Sequence, residues 1–303
     1  MNRESVDARL LGPLEVERDG VPVALGAPAQ RALLARLLLD PNRTVAIDRL
    51  VEDLWGEDAP TSAVKMVQIH VSMLRKQLPT GVLVTRSPGY ALEIESEAVD
   101  LVRFDRLHTE GRAALDGGSA ADAADRLREA LSLWRGPALA EFDVPFAALE
   151  SRRLEELRLT CVEDCIDADL ALGRHGGLVG ELEALVERDP LRERPRSQLM
   201  TALYRSGRQV DALARYRQLR QMLSSDLGIE PSPALRELER RMLQQDPTLD
   251  LAAALCNSGG GGRRTRATGP LKPRGRTIGS LGAGWAAAWT PSRRPCATAL
   301  RVR

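Results

Sequence analysis

The sequence has few cysteines, few aromatic residues and no long apolar run. Four cysteines among 303 residues, and 3% aromatics, leave Leu, Val and Ala to fill the cores, which favours helical packing. No segment approaches the roughly 20 apolar residues that a membrane helix needs, and residues 1–12 lack the apolar region of a secretion signal. We expect a cytoplasmic chain of two ordinary domains, or one domain plus extensions, without membrane contact.

Residues suited to catalysis or metal binding are also scarce. Cys161 and Cys165 lie one helical turn apart, with His175 as the nearest third ligand. Structural zinc normally takes four ligands, so two small buried side chains in a reducing compartment are the favoured interpretation over a metal site. His70 and His108 have no nucleophile near them in sequence, and no GxxxxGK[ST] phosphate loop occurs. We therefore expect no enzymatic activity, no metal and no cofactor.

Acidic residues are missing from two stretches, although the net charge is only +1. Residues 257–303 hold ten of the 43 basic residues and none of the 42 acids, so the rest of the chain has 33 bases against 42 acids. This basic segment is rich in Gly and has no apolar periodicity, a composition typical of disorder. The second acid-free stretch runs from Ala59 to Leu92. We expect the binding surface of the protein to lie in this stretch.

The order of predicted elements around that stretch is strands, three helices and a hairpin. Asp19-Gly20 lies within alternating apolar and polar residues, which indicates a first hairpin. Amphipathic periodicity predicts helices at residues 29–39, near residues 48–54 and at residues 62–78, the last stopped by Pro79. A second hairpin is predicted at residues 82–92.

The third predicted helix has two faces of different chemistry. At about 100° per residue, the residues expected to face the core are Val64, Val67, Val71, Leu74 and Leu78. The opposite side, which we call the donor face, carries hydrogen-bond donors and no carboxylate: Thr61, Lys65, Gln68, Ser72, Arg75 and Lys76. Ile69 is the only apolar residue on it, and Met73 lies at its edge.

Two interpretations of the donor face remain open. Most amphipathic helices simply present such a face to solvent, but solvated faces usually mix both signs of charge. An acid-free face followed by a hairpin that carries Thr85 and Arg86 suits a polyanion. A helix fits the major groove of DNA, where Lys and Arg meet phosphate or guanine and Gln meets adenine.

The same residues carry a family resemblance. AQRALLARLLLDPNRTVAIDRLVEDLWGEDAPTSAVKMVQIHVSMLRKQL followed by LVTRSPGYAL resembles the OmpR-type winged helix, and more closely the Streptomyces antibiotic regulatory protein family. The likeness continues through DLVRFDRL, REALSLWRGPALAEF, LALGRH, PLRERPRSQLMTALYRSGRQVDALARYRQLR and LGIEPSPALRELERRML. These later segments resemble the bacterial transcriptional activation domain, so that residues 8–245 are covered by two domains in the expected order.

The resemblance implies a pathway-specific activator of a gene cluster for a secondary metabolite such as an antibiotic. Such proteins bind direct repeats near promoters, usually as two protomers side by side, and help to recruit RNA polymerase. Residues 62–78 would be the recognition helix, and residues 82–92 would be the wing, with Arg86 near a minor groove or the DNA backbone. The position of Met73 is commonly basic in the family, which implies one phosphate contact fewer.

The second half of the sequence is helical in pattern, with weak internal repetition. Gly173 and Gly207 lie 34 residues apart in similar segments, and Gly118 fits the same template. A period near 34 with small residues at helix contacts is typical of tetratricopeptide repeats, and a plain bundle of helix pairs is the alternative.

These observations predict a mainly α protein with three parts. Residues 1–96 form a winged helix-turn-helix of α+β type, residues 97–250 an all-α tetratricopeptide-like activation domain, and residues 251–303 a disordered basic tail. The predicted DNA contacts are Thr61, Lys65, Gln68, Ser72, Arg75, Lys76, Thr85 and Arg86. The expected partners are promoter DNA, RNA polymerase holoenzyme and a second copy of the chain on DNA. Two alternatives remain: a helical adaptor whose winged helix binds protein, and a ligand-gated repressor.

Overall fold

The computed structural model describes residues 5–250. Its strands are β1 (Val6–Arg9), β2 (Glu15–Arg18), β3 (Val21–Pro22), β4 (Val45–Ala46), β5 (Leu83–Arg86) and β6 (Gly89–Leu92). Its helices are α1 (Pro28–Leu38), α2 (Ile47–Trp55), α3 (Ala63–Gln77), α4 (Asp100–Asp116), α5 (Ala120–Ser132), α6 (Pro145–Ala171), α7 (His175–Arg188), α8 (Glu193–Arg205), α9 (Gln209–Leu227) and α10 (Pro233–Leu243). A short 3₁₀ turn, Pro247–Leu249, ends this part of the chain. The predicted disordered tail, residues 251–303, lies outside the described residues.

The first part of the chain places three helices between two small antiparallel sheets. One sheet has the order β1-β2-β3 and the other the order β4-β6-β5. Asp19 and Gly20 both have positive φ, 50° and 76°, which is the geometry of the tight turn that the Asp-Gly pair predicts. The mainly α fold with a winged helix at its start is confirmed, but strands β1 and β4 were not predicted, because β1 has only four residues and β4 only two.

Helix α3 ends where the sequence requires it. Pro79 disfavours a helical conformation in the residue before it, and Leu78 is accordingly extended, with φ −92° and ψ 156°. The chain then turns into the hairpin of β5 and β6, in which Leu83 pairs with Leu92 and Arg86 with Gly89. The hairpin thus follows the helix at once, and the two predicted DNA-contacting segments lie next to each other.

The second part is built from helices and 3₁₀ turns and has no β-strand within residues 97–250, and successive helices pack against each other as helix hairpins. Gly118, Gly173 and Gly207 follow the first helix of three such hairpins, with φ of 79°, 79° and 76°. This left-handed conformation favours glycine and ends a helix within a few residues. Ala123 and Ala212, at equivalent positions after the turn, are fully buried. The 34-residue spacing therefore corresponds to repeated helix hairpins of the tetratricopeptide-like kind.

A buried joint connects the two parts; we define it by Leu10, Leu11, Asp100 and Arg135. The carboxylate of Asp100, at the start of α4, accepts hydrogen bonds from the backbone N–H groups of Leu10 at 2.7 Å and Leu11 at 2.9 Å. The backbone N–H of Arg135 donates to the carbonyl of Leu11 at 2.7 Å. Burial raises the pKa of Asp100, while the two N–H donors act against that rise.

Further contacts widen the joint. Glu141 accepts a hydrogen bond from the backbone N–H of Leu14 at 2.6 Å and forms an ion pair with Arg31 of α1. A Cβ on Gly56, after α2, would come within 3.3 Å of Pro145 at the start of α6. The strands, α1 and α2 all touch the helical part, so the orientation of α3 is fixed relative to it.

Among the helices of residues 5–250, none is both long and apolar enough to cross a membrane.

Candidate DNA-contacting surface

The donor face of α3 is exposed over its whole length. Lys65, Gln68, Ser72 and Lys76 project from the helix into solvent, and Thr61 lies exposed in the turn before it. The opposite side carries the buried residues Ala63, Val67, Val71 and Leu74. The helix is therefore held by one apolar face, and the predicted contact residues stand on the other.

Val64 corrects the predicted core face. It was expected to face inward, but 42% of it is exposed. At about 100° per residue it lies at the edge of the buried face, and it is only the second residue of α3, so no preceding helical turn stands beside it. The hydrophobic side of α3 is therefore narrower at its start than the periodicity predicts.

Arg75 joins α3 to the hairpin of β5 and β6, the predicted wing. Its Nε donates to the carbonyl oxygen of Leu83 at 2.9 Å, and its Nη2 donates to Oγ1 of Thr85 at 2.8 Å. The guanidinium also lies 5.9 Å from the ring centroid of Tyr90, within the range of a cation–π contact. The structure thus brings two of the predicted contact residues, Arg75 and Thr85, into direct contact, and it gives Arg75 a positioning role that the sequence did not indicate.

Arg86 has an acidic partner that sequence reasoning missed. Its Nη2 lies 2.6 Å from Oε1 of Glu93, the first residue after the acid-free stretch. The hairpin register did not indicate this pair, because Arg86 lies opposite Gly89. Both side chains are about half exposed, so the pair is open to solvent and of little energetic weight. An approaching phosphate can compete with Glu93 for Arg86.

The two lysines of the donor face have no such partner. Among residues 5–250, no carboxylate lies within ion-pairing distance of Lys65 or Lys76. The whole sequence contains only one other lysine, Lys272. At the border of the buried face, burial lowers the pKa of His70 and so disfavours its charged form, and both ring nitrogens lack a hydrogen-bond partner in the described part of the chain. The positive potential of α3 therefore comes from Lys65, Lys76 and Arg75.

The other candidate residues show no sign of a reactive centre. Cys161 and Cys165 are buried, and burial raises the pKa of both thiols, that of Cys165 to about 12. Within residues 5–250, no three His, Cys, Asp or Glu side chains are grouped so as to hold a metal ion. His108 is bound to the buried carboxylate of Asp164, at 2.8 Å from Nε2. His175 lies at the start of α7, far along the chain from the donor face.

Two family models match the chain. The model described as "Transcriptional regulatory protein, C terminal" matches residues 21–92, which include α1 to α3 and the wing. The model described as "Bacterial transcriptional activator domain" matches residues 99–243, which include α4 to α10. Together they account for both parts of the described chain.

Proteins similar to this chain carry names of transcriptional regulators. The regulatory protein AfsR of Streptomyces coelicolor is 45% identical over 266 residues, covering 87% of this chain and 26% of AfsR. The chain thus spans about a quarter of that relative. The regulatory protein DnrI of Streptomyces peucetius is 36% identical over 253 residues, with 80% of this chain and 93% of DnrI covered.

A solved structure has the same fold. It is titled as Mycobacterium tuberculosis EmbR in complex with a low affinity phosphopeptide, and it is 40% identical to this chain. The TM-score is 0.78, with 84% of this chain and 69% of the EmbR chain covered.

Proposed function

This chain belongs to the Streptomyces antibiotic regulatory protein family of transcriptional regulators, and we propose that it is a sequence-specific, DNA-binding transcriptional activator. It regulates the gene cluster of a secondary metabolite such as an antibiotic, binds direct repeats near promoters and helps to recruit RNA polymerase holoenzyme. This action takes place in the cytoplasm, where bacterial promoter DNA is found.

The observation that carries this proposal is the donor face of α3. All six of its residues are exposed, its two lysines have no acidic partner in the described residues, and the wing stands beside it through the bonds of Arg75. Phosphates would supply the missing negative charge, while Gln68 and Ser72 can hydrogen-bond to base edges. A helix that bound protein through this face would have no reason to exclude carboxylates from it.

The contact residues divide by the chemistry that each offers. Lys65, Lys76 and Arg86 would contact phosphates, and Gln68 would contact a base edge. Thr61, Ser72 and Thr85 would add hydroxyl contacts to the DNA backbone or bases. Arg75 would orient the wing against the helix and bind phosphate with the donors that remain.

We assign the activities to three segments of the chain. Residues 1–96 bind DNA, residues 97–250 contact the second protomer and RNA polymerase, and residues 251–303 add sequence-independent attraction to DNA through their positive charge. Two protomers on adjacent repeats would place two helical parts side by side. The joint supports this arrangement, because it fixes the helical part relative to α3.

The test measures binding of the full-length chain to the promoters of the neighbouring gene cluster by fluorescence anisotropy. Physiological salt and excess unlabelled scrambled duplex suppress the sequence-independent part of binding. We expect one promoter to bind at least tenfold more tightly than scrambled DNA. The double variant Lys65→Ala/Lys76→Ala should lose most of this affinity.

The matched control is Arg208→Ala. Arg208 is an exposed cation at the start of α9, paired with Asp211 at 2.7 Å and remote in sequence from the donor face. Its removal should leave promoter binding unchanged. Equal, weak binding of all promoters and scrambled DNA would reject the proposal and favour the adaptor, whose winged helix binds protein.

A further inference from the structure

Two apolar side chains, one on the donor face and one at its edge, project without a partner in the described structure. Ile69 is 48% exposed and Met73 is 44% exposed. They lie four residues apart on α3 and are therefore neighbours on the helix surface. Neither belongs to the hydrophobic core nor packs against it. Folding therefore does not account for an apolar residue at either position.

Ile69 points almost directly away from the protein. At about 100° per residue, it lies within roughly 30° of the direction opposite to the buried residues of α3. Lys65, Ser72 and Lys76 surround it at spacings of four, three and seven residues, which place them on the same face. Met73 extends this apolar spot on the flank away from the wing, since Arg75, on the other flank, is bonded to the wing.

The charge around the two residues restricts what can cover them. Lys65 and Lys76 have no acidic partner among residues 5–250. A surface that covers Ile69 and Met73 must therefore combine an apolar spot with negative charge beside it, opposite the two lysines. The major groove of DNA has this combination: phosphates line its edges, and its floor carries the C5-methyl group of each thymine. Cytosine and the purines present no methyl group there.

We propose that Ile69 and Met73 are specificity-determining residues that contact thymine methyl groups, and that this chain therefore selects thymines at fixed positions of its half-site. This inference rests on the proposed function. It adds that thymine is recognised through apolar contacts with its methyl group, without a hydrogen bond. Ile69, at the centre of the face, contacts the first thymine, and Met73, with its flexible thioether chain, contacts a neighbouring one.

The test removes only the methyl group. A duplex site is first selected with the full-length chain from a random-sequence library, and each thymine of the selected site is then replaced in turn by deoxyuridine. We expect Kd to rise about fourfold at the contacted positions, which corresponds to about 0.8 kcal/mol for one buried methyl group. Positions outside the contact should be unaffected.

Variants assign the effect to the two side chains. Ile69→Ala should weaken binding of the thymine duplex and abolish the difference between thymine and deoxyuridine at one position, and Met73→Ala should do so at another. Because both residues are exposed, the melting temperature of each variant should match that of the original chain. Val210→Ala, which removes an exposed apolar side chain from α9, should keep the full methyl effect.

The outcomes separate this inference from the proposed function. A selected site that binds equally well with deoxyuridine at every position overturns the inference alone. The same holds if Ile69→Ala and Met73→Ala both keep the methyl effect, or if they weaken only the binding of a second protomer. A selection that enriches no site overturns the proposed function, and the inference falls with it.

Discussion

Positive charge is used in opposite ways in the two parts of the chain. In the helical part, Arg112 of α4 and Arg194 of α8 form ion pairs with the carboxylate of Asp164, which is completely buried and also hydrogen-bonded to His108. On α3, Lys65 and Lys76 have no acidic partner in the described residues. The first arrangement satisfies charge inside the fold, and the second leaves it available to a ligand.

The helical part and α3 also differ in which basic residue they use, arginine or lysine. Arginine forms planar, multiply hydrogen-bonded pairs with carboxylates, whereas lysine is a mobile point charge. Apart from Arg75, which is bound to the wing, the cations of α3 are lysines, and both lysines of residues 5–250 lie there. The comparison predicts that neutralising a buried charge in the helical part changes stability, and that neutralising an exposed one on α3 changes binding.

The largest expected effect is the loss of the buried acid. Asp164→Asn leaves His108, Arg112 and Arg194 without their common anion, and we expect the free energy of unfolding to fall by about 3–5 kcal/mol. Urea denaturation measures this loss. DNA binding per folded molecule should remain, since Asp164 is remote from α3.

Glu230→Gln is the control for Asp164→Asn. It removes one member of a solvent-exposed pair with Arg220, and an exposed pair contributes little to stability. An Asp164→Asn variant as stable as this control would contradict the assigned role of the buried cluster.

The second effect concerns Glu181, a carboxylic acid whose burial is only partly offset by a nearby positive charge. Burial, followed by repulsion from Asp169, raises the pKa of Glu181 to about 7, and the attraction of Arg128 only partly opposes the rise. Because its pKa is higher in the folded state than in the unfolded state, Glu181 favours folding below pH 4.5. This advantage is lost as the pH rises through about 7. Glu181→Gln should therefore stabilise the protein by about 3 kcal/mol at pH 8 and by less than about 1 kcal/mol at pH 5.

Thermal denaturation of both proteins across this pH range measures the effect. A constant difference in stability between Glu181→Gln and the original chain from pH 5 to pH 8 would show that Glu181 does not titrate there.

The third effect is on DNA recognition. Gln68→Ala should reduce discrimination at one base pair by about 1–3 kcal/mol if Gln68 reads a base edge, with unchanged stability because the side chain is exposed. Competition binding with single-base variants of the selected site measures this loss. Equal weakening on selected and scrambled DNA would remove Gln68 from the base-contacting residues.

The smallest effect is on salt dependence. Lys76→Ala should lower the slope of log K against log[salt] by about 0.9, the amount expected for one lost phosphate contact, with equal effect on all DNA sequences. Arg220→Ala, which removes a cation of the helical part that is paired with Glu230, should leave the slope unchanged. Identical slopes for the original chain and Lys76→Ala would show that Lys76 does not contact phosphate.

Local sequence patterns predicted the helices and hairpins of the first part but not the short strands β1 and β4, while contacts between distant residues required the structure. Periodicity placed α3 and its exposed donors, and the spacing of Gly173 and Gly207 indicated the helix hairpins. Neither the pair of Arg86 with Glu93 nor the bonds of Arg75 to the wing could be predicted, because both depend on how the hairpin folds back. Val64 was wrongly predicted to be buried, because periodicity takes no account of the missing helical turn before the first residues of a helix.

The joint was also beyond sequence reasoning, since Leu10 and Asp100 are 90 residues apart. Its carboxylate accepts two backbone hydrogen bonds in a buried site, which makes rotation of one part against the other costly. If α3 lies in the major groove as proposed, the helical part must follow the twist of the duplex. On the proposed direct repeat, two such protomers would meet only when the spacing returns them to the same side of the DNA. Half a turn inserted between the repeats would separate the helical parts and leave each single site fully able to bind.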